Sequence, residues 1–237
     1  MLPLEEFGVL TGWQRIYLDL PWAATAVDRD VSGAQEVADG VVVEIRRHLG
    51  DTPFAVLGNS FGGMLARLVA HELRGQVLGV ATLAGVFEPD HAARTLPARE
   101  VVRHDRRAAE SAGAAREEYE ELTVVQSDAT VAAFTRYVLP GLVDGDRDVI
   151  NRVSSNYALC REPEVQHPEP FAAPSLHVFG RQDHVTGYED GWRLRDHYPR
   201  GTFAVLDAAG HNVHLEQPRM TEALVGDWLA RIDATAR

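Results

Sequence analysis

The sequence predicts an α/β fold: a mostly parallel sheet with helices on both faces. Three observations carry this. Short apolar runs alternate with segments of helical spacing before residue 88 and again after residue 170. One of the runs, Phe54-Ala55-Val56-Leu57, is continuously apolar, as a strand buried on both faces requires. Apolar residues also recur every four positions at Val37, Val41, Ile45 and Leu49, and again at Met220, Leu224, Trp228 and Ile232, each set marking one face of a helix.

In chain order, residues 15–20 are the first strand candidate, closed by Pro21, and the helix bearing Val37 follows. Pro53 introduces the run 54–57, which ends at Gly58. A second helical pattern begins at once, with Met64, Leu65, Leu68 and Val69 on one side, and residues 77–84 read as the next strand. The alternation then stops. Residues 88–170 carry dense charge, as in Arg103-His104-Asp105-Arg106-Arg107 and Glu117-Glu118-Tyr119-Glu120-Glu121, with helical spacing around 98–121, 127–138 and 146–159. They are expected to form a helical cap, or lid, inserted into a core made of residues 1–87 and 171–237. The α/β rhythm resumes at Ser175-Leu176-His177-Val178-Phe179-Gly180, continues through a helix near 188–197 and a strand at 202–207, and closes with the Met220 helix. Pro218 stands near the start of that helix, where its missing N–H costs little.

The 237 residues suit one large domain or a core with a small insert, and 45% hydrophobic residues allow a sizeable core. A net charge of −12 argues against a nucleic-acid backbone or an anionic membrane surface as partner, since both select Lys/Arg patches. The single cysteine, Cys160, allows neither an intrachain disulfide nor a cysteine-based zinc site and is expected as a buried thiol. No apolar run approaches the roughly 20 residues that span a bilayer. The start, Met1-Leu2-Pro3-Leu4-Glu5-Glu6, has no basic segment leading into an apolar one. The expectation is a cytoplasmic protein with a small-molecule partner. Asp144-Gly145-Asp146-Arg147-Asp148 begins like a calcium loop but lacks glycine at its sixth position and has Ser155 where the twelfth would be glutamate, so it reads as a solvated turn.

The chemistry points to Gly58-Asn59-Ser60-Phe61-Gly62. A serine joining a strand end to a helix start sits on a very sharp turn, and a Cβ at either flanking glycine is expected to clash there. The turn lifts the hydroxyl into a cleft. The helix N-terminus faces a developing oxyanion with positive dipole, and the Phe61 N–H can donate to it. Serine is a poor nucleophile without a base. The C-terminal third supplies acid and base candidates in order, in Gly180-Arg181-Gln182-Asp183-His184 and in Asp207-Ala208-Ala209-Gly210-His211-Asn212, each after a strand.

These three motifs in this order make the chain resemble the α/β-hydrolase superfamily from about residue 11 onward. The resemblance implies Ser60 as nucleophile, Asp183 as orienting acid, His211 as general base and Phe61 as oxyanion donor; Glu216-Gln217-Pro218 also matches a common feature of the family. His184 and His214 remain alternative bases, and Glu88 and Asp90 alternative acids. Trp22, Asn59, Phe87 and Tyr157 are pocket candidates. By the same resemblance, residues 15–20 with Asp19-Leu20-Pro21 match the family's fourth strand. The third, whose His-Gly loop supplies a second oxyanion N–H, has no counterpart before Ser60. Two explanations stand: Met1 is an internal methionine of a longer protein, or the fourth strand moves over to pair with the fifth. The resemblance implies a serine hydrolase of small esters, amides or related carbonyls, without metal or organic cofactor. Alternatives are a C–C hydrolase of diketones, suggested by asparagine before the serine, and a non-catalytic binding protein on the same scaffold.

Overall fold

The computed structural model describes residues 2–26 and 29–235. Four parallel strands, β1 (Phe54–Asn59), β2 (Val77–Leu83), β3 (Ser175–Gly180) and β4 (Gly201–Leu206), lie in the spatial order β1-β2-β3-β4. Asn59 is level with Leu83, Leu83 with Val178, and Gly180 with Leu206. The strands therefore end along one edge of the sheet, and the loops that leave them share that edge. Alternating side chains feed two cores. Val77 and Val80 face helices α1 (Ala34–Leu49) and α2 (Phe61–Glu72). Ala81, Leu83, Leu176 and Val178 face α11 (Pro218–Thr235) and the N-terminal turns, where Leu4 and Phe7 are buried.

The helices form where spacing and end chemistry agree. In α1 the buried residues include Val37, Val42 and Ile45, with Glu36 in the first turn and Arg46, Arg47 and His48 in the last, the charge order that suits a helix dipole. Between β2 and β3 the described chain contains α3 (Arg106–Ser111), α4 (Arg116–Leu122), α5 (Asp128–Tyr137), α6 (Leu139–Asp144), α7 (Arg147–Ser155) and α8 (Pro163–Gln166), and no strand. Asp105, Ser127 and Asp146 cap α3, α5 and α7 through their side chains. The segment that began like a calcium loop is thus a helix cap; Asp146 also pairs with Arg29. Tyr119, Val131 and Phe134 build a small cluster within this insert, whereas Val149, Val153 and Leu159 join α1 and α2 in the main core. Helices α9 (Glu189–Arg193) and α10 (Val213–Glu216) complete the chain.

Four expectations need correction. Residues 15–20 form no strand and do not pair with β1. Arg15 and Tyr17 are drawn instead to Glu5, Arg15 also donates to Leu10 O and Trp13 O, and Leu18 and Leu20 rest on the main core. Residues 98–105 form no helix: Val102 and Arg103 donate to Val124 O, Gln126 donates back to Arg103 O, and Arg103 bridges Val125. Gly113, at φ 61°, then separates α3 from α4. The helix expected near 188–197 is two short pieces, α9 and a 3-10 turn at Arg195–His197. Cys160 is exposed, because its loop runs along the surface, where its N–H donates to Gln35.

The core holds three histidines in neutral form. Burial, the largest influence on each, pushes His177 and His214 down to about 3 and His71 down to about 4, from an ordinary 6.5. The unfolded chain takes up these protons near 6.5 and the folded chain only at the lower values. Their contribution to stability is therefore present above 6.5 and lost as pH falls toward 4 and then 3. Denaturant titrations should show unfolding free energy falling with acid in that window. In His177→Phe the slope between about pH 4 and about pH 6 should shrink by one proton's worth, about 1.4 kcal/mol per pH unit. An unchanged slope would show that His177 is not held neutral.

Candidate active site

Strand β1 passes into α2 at Ser60 with no intervening loop, and Ser60 adopts φ 53° and ψ −121°. Such a backbone costs a non-glycine residue about 1–3 kcal/mol and persists only where its surroundings over-determine it. Here they do. Ser60 N donates to Leu83 O at 3.0 Å, and Ser60 O accepts from Gly63 N at 2.9 Å and Val86 N at 3.1 Å. Gly58 is obligatory, since a Cβ there would lie 1.9 Å from Gly62 O. Gly62, expected to be equally restricted, has open space around its own Cβ position: its carbonyl makes the close approach, so of the two glycines flanking the serine only Gly58 is restricted. The other positive-φ residues besides glycine among those described, Ala84 and Ala208, follow β2 and β4 along the same sheet edge.

Two further loops meet Ser60. After β3, Asp183 is fully buried and accepts from Val185 N at 2.9 Å, Thr186 N at 3.1 Å and Thr186 Oγ1 at 2.6 Å. Beyond β4, His211 places Nδ1 3.2 Å from Asp183 Oδ2 and Nε2 2.9 Å from Ser60 Oγ. Burial works against ionisation of Asp183, but the neighbouring His211 and the hydrogen bonds from His211 and Thr186 outweigh it and hold the carboxyl below its ordinary range. Gln182 braces the two loops: its N–H donates to Ala209 O, its amide donates to Asp207, and its side-chain oxygen accepts from Ala209 N. An imidazole fixed between a carboxylate and a hydroxyl can draw the proton from that hydroxyl.

The remaining candidates lie apart from this set. His184 bonds Glu121, and His214 is buried on α10. Glu88 and Asp90 accept from backbone N–H groups of their own loop. Phe61 is the first residue of α2, at a position where the helix offers its N–H no carbonyl. Its ring lies 5.5 Å from Trp22 and 5.2 Å from Tyr157, so one residue of the N-terminal segment and one of the insert pack against the start of α2. Phe87 does not join them. It turns into the interior against His177, Phe179 and the Arg67 guanidinium. The Asn59 amide is held by Leu83 O at 2.8 Å.

Sequence reasoning assigned no role to the residues that support this arrangement, although Glu216 stands in the Glu216-Gln217-Pro218 match. Gln182 and Thr186 flank the acid, and Glu216 follows His211 by five positions, accepting from Gly210 N. Burial, the largest influence, pushes the Glu216 carboxyl up to about 7, against the pull of its N–H donors. Arg67 was legible only as an arginine within an otherwise apolar stretch. It is fully buried and reaches Glu164 at 2.8 and 2.5 Å, Glu162 at 2.9 Å and Val86 O at 2.8 Å. Burial opposes both charges of the Arg67–Glu164 pair, yet their attraction prevails, raising the arginine and lowering the carboxyl. The clasp thus ties α8 of the insert to α2 and to the residue whose N–H holds Ser60 O. Arg67→Met strands Glu164 and should destabilise the chain by about 3–5 kcal/mol in denaturant unfolding, with most of this recovered in Arg67→Met/Glu164→Leu. A loss below about 1 kcal/mol for the single variant would contradict the clasp.

Four parallel strands, a serine on a strained strand-to-helix turn, and acid and histidine loops leaving later strands define an α/β-hydrolase architecture. A sequence profile described as alpha/beta hydrolase fold matches residues 32–218, and the chain belongs to that family. A comparison with curated proteins found no match. Among solved structures, the chain is similar to an alpha/beta superfamily hydrolase from Oenococcus oeni PSU-1, with TM-score 0.86, 24% identity, and coverage of 93% of this chain and 82% of that one. It is also similar to a thermophilic esterase from Thermogutta terrifontis, solved with malate bound (TM-score 0.61, 20% identity, 90% and 78% covered). A third is the 2-hydroxy-6-oxo-6-phenylhexa-2,4-dienoate hydrolase of Rhodococcus sp. strain RHA1 (TM-score 0.58, 18% identity, 84% and 73% covered). At these identities the likenesses bear on the fold. Among the described residues no helix is long and apolar enough to cross a membrane, and no group of three or more His, Cys, Asp or Glu residues is placed to hold a metal.

Proposed function

We propose that this chain is a serine hydrolase of small esters, amides or related carbonyl compounds. The observation that carries the reading is His211, with Nε2 2.9 Å from Ser60 Oγ and Nδ1 3.2 Å from Asp183. His211 takes the Ser60 proton as Oγ adds to the substrate carbonyl carbon. The carbonyl electrons move to the oxygen, which the Phe61 N–H and the positive end of α2 stabilise. Collapse breaks the bond to the leaving group, which receives the proton from His211. Water, deprotonated by the same imidazole, then adds to the acyl carbon; the bond from that carbon to Ser60 Oγ breaks, His211 returns the proton to Oγ, and the acid leaves. Asp183 holds the ring in the tautomer whose Nε2 accepts. Residues 88–170 act as the cap over this centre, with Trp22 and Tyr157 beside Phe61 as the pocket walls.

The C–C hydrolase alternative was motivated by Asn59. Its amide is committed to Leu83 O, which leaves the ester and amide reading the better supported.

A fluorophosphonate probe tests the assignment. Wild-type protein should label once, on the peptide containing Ser60, and Ser60→Ala should not label. On a chromogenic ester, Asp183→Asn should lower kcat by about 10⁴. Labelling that persists in Ser60→Ala, or its absence from well-folded wild-type protein, would overturn the reading. Tight ligand binding without turnover across an ester panel would favour a non-catalytic binding protein.

A further inference from the structure

Glu216 belongs to none of the three groups above, yet it joins the His211 loop to the insert. Its side chain is buried, with the residue 9% exposed, and it forms no ion pair among the described residues. Among the described residues, every hydrogen-bond partner of its carboxylate is a backbone N–H. Oε2 accepts from Gly210 at 2.7 Å, and Oε1 accepts from Val124 at 2.6 Å and Val125 at 2.9 Å. Gly210 immediately precedes His211, whereas Val124 and Val125 lie between α4 and α5. The two segments are also in steric contact, for a Cβ on Gly210 would lie 2.9 Å from Val124 Cγ1. Buried backbone donors need acceptors, and here one side chain satisfies donors from two segments far apart in sequence.

We propose that Glu216 is a positioning residue that couples the seating of the insert on the core to the placement of His211 against Ser60. It touches no reacting atom and acts through the Gly210 amide. A displacement of the insert near Val124 moves the acceptor that fixes the loop, and the imidazole moves with it. The consequence for rate rests on the serine-hydrolase reading; the coupling itself does not.

Two variants and one wild-type measurement test this. Val124→Pro removes a single donor on the insert side, and Thr123, at φ −119° and ψ 122°, already occupies the region that precedes proline. Glu216→Gln keeps the shape but can no longer accept from all three donors. Hydrogen exchange is followed at residues 210–212, with thermal melting to establish the folded fraction and kcat and KM measured on a chromogenic ester. In folded Val124→Pro, exchange at 210–212 should quicken by about tenfold or more. The same variant should lose about 10- to 100-fold in kcat, with KM nearly unchanged. Glu216→Gln should behave alike. Unchanged exchange and kcat in either folded variant would overturn the proposal. In wild-type protein under mild denaturant, the amides of Val124, Val125 and Gly210 should open with one common free energy, and separate openings would overturn it without any variant. If wild-type protein neither labels at Ser60 nor turns over esters, the serine-hydrolase reading fails, while the exchange measurements still decide the coupling.

Discussion

The backbone at Ser60 is the constraint on which the rest of the site depends. A residue with a side chain stands there at φ 53° and is kept so because β1 runs directly into α2. That junction is possible only if Gly58 lacks a Cβ, since the Gly62 carbonyl occupies the space one would need. The strain is offset by bonds from neighbouring elements, namely Leu83 O at the end of β2 and Val86 N just beyond it. The same geometry that strains Ser60 turns its hydroxyl toward the imidazole and sets the Phe61 N–H at the mouth of a helix dipole.

The insert is held to this centre by two buried carboxylates of different kinds. Glu164 answers a buried cation, Arg67, and this pair secures α8 to the helix that follows the serine. Glu216 answers only backbone N–H groups, and these secure the α4–α5 connection to the loop that carries the histidine. Ser60 and His211 are therefore each braced from the insert. Val149, Val153 and Leu159 share the main core, so the insert is an integral part of the packing.

Legibility in the sequence followed the range of the interactions. The seven elements of the α/β rhythm, β1 to β4 with α1, α2 and α11, stood out because burial on the sheet writes its period into the residues. Ser60, Asp183 and His211 stood out through their order and their places after strands. Residues 15–20 misled because their strand-like alternation is matched by a local alternative: Arg15 and Tyr17 find Glu5. Residues 98–105 misled because their partner, the 124–126 segment, lies a helix pair away. Phe87 misled because its proximity to the site is sequential, while its ring is claimed by His177, Phe179 and Arg67. Arg67 and Glu216 stand in the sequence, the latter within Glu216-Gln217-Pro218, but Glu164 and Val124, which give them their roles, lie some ninety residues away, so the pairing itself is not legible.

On the proposed serine-hydrolase reading, Ser60 forms a covalent acyl intermediate under the control of His211. Rapid-quench intact-mass measurement with a slowly deacylating ester tests this most directly. A transient mass increment equal to the acyl group should appear, map to the Ser60 peptide and decay as acid is released. Turnover without any such increment, or an increment mapped to another residue, would contradict it.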